Sequence, residues 1–236
     1  MQDSHRVLPL RFRFALFLSL ALIPALAVNQ SKAVNKGTYQ NSLQQLETKL
    51  ESQYRETQKL FASPPGRLPV DYHRLLREWQ DDLAQSFVRA AATVEEILAL
   101  NPPNREMWQE RLETLRLYGQ PISSPDERRV FGSGEVETSA RILETPMAEY
   151  TDEARAANTH GDVRLRLVLA SDGSVKNVFP IKSMGHGLTE SAMKAARQIK
   201  FEPALRNGEP ASEFMTFVYE FEKGQSKQPY IPRTIF

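Results

Sequence analysis

From Thr38 to about Ala62 the apolar positions are Leu43, Leu46, Leu50, Tyr54 and the pair Leu60/Phe61, set among Gln, Glu, Lys and Arg. Spacings of three and four put them on one helical face. "SPPGRLP" at 63–69 breaks this helix, because proline removes a backbone donor and clashes with the preceding turn. The same period returns from Asp71 to Leu100 through Tyr72, Leu76, Trp79, Leu83, Phe87, Ala90, Val94 and Ile97, with Asp71 placed as an N-cap. "NPPN" at 101–104 stops that helix. A third, roughly Asn104 to Tyr118, carries Trp108, Leu112 and Leu115, with Gly119 at its end. Proline pairs between amphipathic helices predict antiparallel packing, and the stripes holding Trp79, Phe87 and Trp108 read as core. At ~1.5 Å per residue the second helix is ~45 Å long and the third only ~22 Å. They cannot cover one another, so part of the stripe is expected to meet a further surface, such as a coiled-coil-like partner or a second copy.

Residues 120–134, "QPISSPDERRVFGSG", show little pattern and read as a linker. After them the period drops to two. "DVRLRLVL" at 162–169 alternates, with Val163, Leu165, Leu167 and Leu169 on one face and Asp162, Arg164 and Arg166 on the other. The Asp-Gly of "ASDGS" (170–174) supplies the positive φ of a tight hairpin, and Val175 to Ile181 returns. Pro180 lacks a donor, which marks an edge strand, a strand end or a bulge. "GLTESAMKAARQI" at 187–199 is helical, with a narrow stripe of Leu188, Ala192, Ala195/Ala196 and Ile199 suited to lying on a sheet. In "KFEPALRNGEP" Phe201 enters the core, Pro203 ends the helical path and Asn207-Gly208 signals a hairpin. "SEFMTFVYEFE" at 212–222 alternates again, with Met215, Phe217, Tyr219 and Phe221 inward and Thr216, Val218, Glu220 and Glu222 outward. Arg164/Arg166 and Glu220/Glu222 are either cross-strand partners, at ~0.2–1 kcal/mol each, or two separately solvated faces. The fold class is α+β: a small antiparallel sheet with a packed helix, preceded by an all-α helical hairpin or three-helix segment. The expected units are a helical region at 36–119, a linker at 120–134, a C-terminal domain at 135–223 and a tail at 224–236.

The chain has 236 residues, a formal net charge of +1 and no cysteine. The charge gives no bulk case for nucleic acid. The missing cysteine removes disulfides, thiol catalysis and thiolate zinc sites. Arg6, Arg11 and Arg13 precede "FALFLSLALIPALAV" at 14–28, a run shorter than the ~20 residues of a spanning helix and broken near its end by Pro24. Ala25-Leu26-Ala27 is a small-x-small cleavage pattern, so 1–27 reads as an export signal cut after Ala27 or, alternatively, as a retained inner-membrane anchor. In both cases the rest lies outside the cytoplasm.

No catalytic, cofactor or metal site is expected. His73, His160 and His186 have no metal-ligand spacing. Asp81-Asp82 and Asp152-Glu153 are adjacent pairs whose members do not face one another on a helix. "SMGHG" at 183–187 lacks the lysine or longer glycine pattern of an anion loop and reads as a strand-to-helix turn. Ser123-Ser124 and Ser133 have no His or Asp beside them.

Taken in order, "PMAEYTDEAR" (146–155), "GDVRLRLVLASDGSVKNV" (161–178), "GLTESAMKAARQIKFEPALRNGEP" (187–210) and the aromatic last strand resemble the TonB C-terminal domain family over residues 141–222. The resemblance implies a domain that grips a short segment of an outer-membrane transporter by strand addition, on a membrane-anchored chain driven by inner-membrane motor proteins. The docking edge it implies is the last strand, 213–221, with Glu213, Thr216, Val218 and Glu220 flanking the added peptide. Two departures stand against a complete transducer. Ser19 alone does not supply the Ser/His pair of a transducer anchor, and helices replace the long Pro-, Lys- and Glu-rich spacer. The reading favoured is a periplasmic protein with a TonB-like binding domain. Its alternative is a periplasmic scaffold or adaptor whose helical region binds a partner or oligomerises and which transduces no energy. The tail "QPYIPRTIF" (228–236) is either a frayed end or a strap folded back on an exposed edge.

Overall fold

The computed structural model describes residues 36–66, 71–120, 130–132, 134–222 and 224–232. The apolar run 14–28, Ser19, Ala25 and Ala27 therefore lie outside the described residues, as does most of the expected linker.

Three helices form where the period of three to four predicts them: α1 (Lys36–Ala62), α2 (Tyr72–Ala99) and α3 (Arg105–Tyr118). Asp71 stands at the N-cap of α2 but caps nothing with its side chain; its carboxylate pairs with Arg74 at 3.2 Å instead. Gly119 ends α3 with φ −83, so left-handed backbone is not its reason. A Cβ there would meet Val88 Cγ2 and the Leu115 carbonyl at 3.1 Å, so glycine lets α3 end close against α2.

The rest is α+β. It comprises β1 (Val130–Phe131), β2 (Arg141–Glu144), α4 (Asp152–Ala156), β3 (Gly161–Leu169), β4 (Val175–Lys182), α5 (Leu188–Ala196), β5 (Lys200–Glu202), β6 (Ala204–Arg206), β7 (Glu209–Glu222) and β8 (Gln225–Ser226). The main sheet runs β1-β7-β3-β4, with β6 and β8 also on β7, while β2 and β5 pair separately. The central ladder is antiparallel, from Gly161 opposite Phe221 to Leu169 opposite Glu213. Asn207 and Gly208, at φ 53 and 77, join β6 to β7 in the positive-φ turn that a two-residue hairpin needs. Pro180 lies in the edge strand β4 beside a register shift, so it marks both an edge and a bulge.

One sheet face is filled as the alternation predicts. Val163, Leu165, Leu167, Leu169, Met215, Phe217, Tyr219 and Phe221 pack beneath α5, whose Leu188, Ala192, Ala195 and Ala196 are buried. The small stripe lets that helix lie close on the strands.

The opposite face is where the structure departs from expectation. It does not face water. Phe179 of β4 belongs to a second core with Leu50, Phe61, Phe87, Val94, Ile97, Trp108 and Leu115 of the three helices. Its ring centre lies 5.4 Å from Tyr54, 5.0 Å from Phe87 and 5.8 Å from Tyr118. Polar contacts reinforce the junction. Gln58 donates to the Pro180 carbonyl at 2.8 Å, Tyr118 to the Asn177 carbonyl at 3.1 Å, and Arg197 pairs with Glu110 at 3.0 Å. The surplus stripe of the helices thus meets the chain's own sheet. Among the described residues of α1–α3, Val88 is the exposed large hydrophobic. This corrects the expectation of a partner or second copy on that stripe. It also predicts that residues 36–120 made alone self-associate, because Tyr54, Phe61, Phe87 and Tyr118 lose their cover. Sedimentation of that fragment checks this, and a monodisperse monomer at high concentration contradicts it.

The expected linker is also shorter than read. Its last part, Val130–Phe131, is a strand parallel to Ser212–Glu213 of β7.

Candidate functional site

The docking edge implied by the sequence is β7. The ladder to β3 occupies one side of it. On the other side three short pieces of the same chain are laid end to end. Val130–Phe131 pairs with Ser212–Glu213, Gln225–Ser226 pairs with Phe221–Glu222, and Tyr230 bridges Val218. The bridge is reciprocal: the Val218 N–H donates to the Tyr230 carbonyl at 2.9 Å and the Tyr230 N–H to the Val218 carbonyl at 3.2 Å. Backbone groups alternate along a strand, so those of Thr216 point the same way as those of Val218. Among the described residues no strand or bridge is in register with 215–217 on that side.

The four residues expected to flank a docked peptide do not form an exposed row. Glu213 is 0% exposed, Thr216 2% and Val218 1%, while Glu220 is half-buried. Glu213 shares the face of Met215 and Phe217 and is buried under the first core, whereas Thr216 lies on the opposite face, in one row with Arg166 and with Phe179 of the second core. Glu213 is a structural strut: its Oε2 accepts from the Ala140 N–H at 2.7 Å, and its Oε1 has no partner. Glu220 accepts from the Tyr230 hydroxyl at 3.1 Å and from the Lys227 N–H at 2.8 Å.

Among the described residues Arg164 and Arg166 form no ion pair with Glu220 or Glu222. In the register Arg164 stands opposite Val218 and Arg166 opposite Thr216. Arg164 pairs with Asp162 at 2.8 Å on its own strand, and Asp162 also holds Lys182. Burial pushes the Asp162 carboxyl up, but the hydrogen bonds and charges of Lys182 and Arg164 outweigh it and hold the group below its ordinary value. Glu222 pairs with Lys227 at 2.6 Å.

The tail is fastened as well as folded back. Ser226 donates to the Ala148 carbonyl, and Gln228 to the Thr145 carbonyl at 2.8 Å and the Thr145 hydroxyl at 2.6 Å. Arg155 donates to the Gly224 carbonyl at 3.0 Å, and Pro229 is buried. The opposite edge of the sheet, β4, is closed differently. Pro180 has no donor, and the carbonyls of Asn177 and Pro180 are taken by Tyr118 and Gln58.

"SMGHG" is the turn into α5, with His186 at φ 56 and Gly187 at φ 75. His186 Nδ1 lies 2.8 Å from the Thr159 hydroxyl, and its carbonyl accepts from Thr151 at 2.5 Å, so the ring helps fix the turn. His160 lies in a loop and His73 against Tyr72. Among the described residues no group of three His, Asp or Glu is placed to hold a metal ion, and no helix is long and apolar enough to cross a membrane.

Sequence reasoning missed the strand β1 and the surroundings of Arg166. Arg166 was expected either to pair across the strands or to lie on a solvated face, yet its guanidinium carbon lies 4.9 Å from the centre of the Phe214 ring, inside the helix–sheet junction. The signal was the near-continuous apolar run "FMTFV" (214–218), which marks a strand buried on both faces.

No curated protein matches the chain. Residues 146–222 match the family model described as Gram-negative bacterial TonB protein C-terminal, from the segment that opens with Tyr150 and α4 to the end of β7. That family is transport-related and non-enzymatic, its members bind envelope proteins, and its presence implies an envelope location. With the ordered strand–turn–strand–helix–strand elements matching as well, the C-terminal domain of this chain belongs to the TonB C-terminal domain family.

Proposed function

We propose that the chain is a periplasmic protein that binds an extended segment of an outer-membrane transporter, or of another envelope protein, by strand addition at the outer side of β7 in energy-dependent transport. The observation that supports this is the piecemeal completion of that side: two short strands and a single bridge, with no described residue in register with 215–217 between them. A continuous peptide strand satisfies more backbone groups there than these pieces do. The test is amide hydrogen exchange on the full chain with synthetic peptides copied from short extended segments of outer-membrane transporters encoded in the same genome. Slowed exchange at 214–218 is expected. Protection confined to α1–α3 would overturn the reading.

A second reading has its own support. The three helices share a core with the sheet, so the binding domain does not hang on a long free spacer. This favours an adaptor without energy transduction. N-terminal sequencing of the exported protein separates the two. A start at Val28 leaves no anchor for inner-membrane motor proteins to drive. An intact first segment restores that coupling.

A further inference from the structure

Arg166 is a cation in the wrong surroundings. Its guanidinium crosses from β3 onto the Phe214 ring of β7, and Phe214 lies against Tyr118 with ring centres 5.5 Å apart. Desolvation lowers its pKa from the usual value, and the neighbour that counters this is Tyr118, a phenol that burial itself keeps protonated. Among the described residues Arg166 enters no ion pair, whereas Arg164 on the same face has Asp162. Taking a cation out of water without a counter-charge is costly. A second observation points to the same spot. Thr216, directly opposite Arg166 in the ladder, has a buried hydroxyl with no hydrogen-bond partner. Opposite residues share a sheet face, with Cβ atoms about 5 Å apart. Phe214 and Arg166 are only partly buried, so this corner reaches solvent. It also adjoins residues 215–217 of β7, with which no described strand or bridge is in register on the outer side.

A guanidinium is all donor, and a hydroxyl can donate beside it. We propose that Arg166 and Thr216 form a carboxylate subsite, which selects an aspartate or glutamate on the added strand at the position opposite Thr216. The tail shows the geometry in cis. Tyr230 stands opposite Val218, and its hydroxyl reaches across the same face to Glu220 at 3.1 Å. The position opposite Thr216 is two residues along the strand and so faces the same way.

This inference rests on the strand-addition reading, and its test keeps the two apart. The probe is a dye-labelled peptide of alternating Thr and Val, long enough to span 214–222, with one Glu moved through each position and a Gln counterpart for each. It is titrated by fluorescence anisotropy into the full chain and into R166Q, R166K and T216V. At one position Glu is expected to bind at least about tenfold tighter than Gln, the worth of a charge-assisted pair. R166Q should abolish that preference, R166K should keep part of it because it retains charge without the planar fork, and T216V should weaken the Glu peptide alone. R166Q removes an uncompensated charge, so its Tm should hold or rise. If peptides bind with no Glu preference at any position, the subsite is wrong and strand addition stands. If no peptide binds even after removal of residues 226–236, strand addition fails and the subsite with it. If R166Q lowers Tm and leaves a Glu preference intact, Arg166 serves packing only.

Discussion

Replacing Phe179 by alanine is expected to cost about 3–5 kcal/mol and to part the three helices from the sheet. Phe179 is 2% exposed and is the sheet residue at the centre of the second core, touching the rings of Tyr54, Phe61, Phe87 and Tyr118. Those rings come from α1, α2 and the end of α3, so one side chain anchors all three helices. Truncation leaves a hole that helices packed along their length cannot close without sliding. Urea unfolding should be followed by fluorescence of Trp79 and Trp108, which report the helices, and by amide exchange in β3 and β7. The native chain should show one coincident transition and Phe179→Ala two, with the helices melting first. Phe201→Ala on the other face serves as the control, lowering stability without splitting the transitions. A loss under about 1 kcal/mol with coincident probes would show that the helices hold the sheet by other means.

Removing residues 226–236 is expected to raise the affinity of a strand peptide for β7 by at least about tenfold. The tail holds its place through the two Val218–Tyr230 backbone bonds, the Lys227 N–H to Glu220 bond, and the Ser226 and Gln228 bonds to Ala148 and Thr145. Each contributes roughly 0.5–1.5 kcal/mol net. Two lost bonds of average worth already keep the competent edge below about a tenth of the population, and apparent affinity scales with that fraction. Anisotropy titration with the native and shortened chains reads this directly. Gln228→Ala should give a smaller gain in the same direction. Equal affinity for both chains would mean that the tail does not compete for the edge.

The helices, the hairpin turns and the domain in 141–222 were legible because each rests on local pattern: a period near 3.6 with proline stops, a period of two, and Asp-Gly and Asn-Gly at the turns. What stayed hidden is long-range. Alternation in "DVRLRLVL" and "SEFMTFVYEFE" implies one wet face, but local sequence does not tell which strand another unit will cover. Val168 at 2% exposure, Phe179 and Thr216 mark that second cover only once the helices are in place. Glu213 was expected to flank a docked peptide, although it alternates with the inward Met215 and Phe217; the partner that holds it inside, the Ala140 N–H, is remote in sequence. Of the four residues expected to flank a docked peptide, Glu213, Thr216 and Val218 are buried. A strand as short as β1 has no period to detect.

The cover that the sheet gives the helices also sets an order of events. The helices close through local contacts and are the first part of the described chain to be made. Their aromatic face has to wait for Phe179, and β4 reaches its place only through β3, whose other neighbour is β7 near the end of the chain. For that interval a long apolar surface stands uncovered, and it is then that the chain is most open to aggregation or to capture by a chaperone.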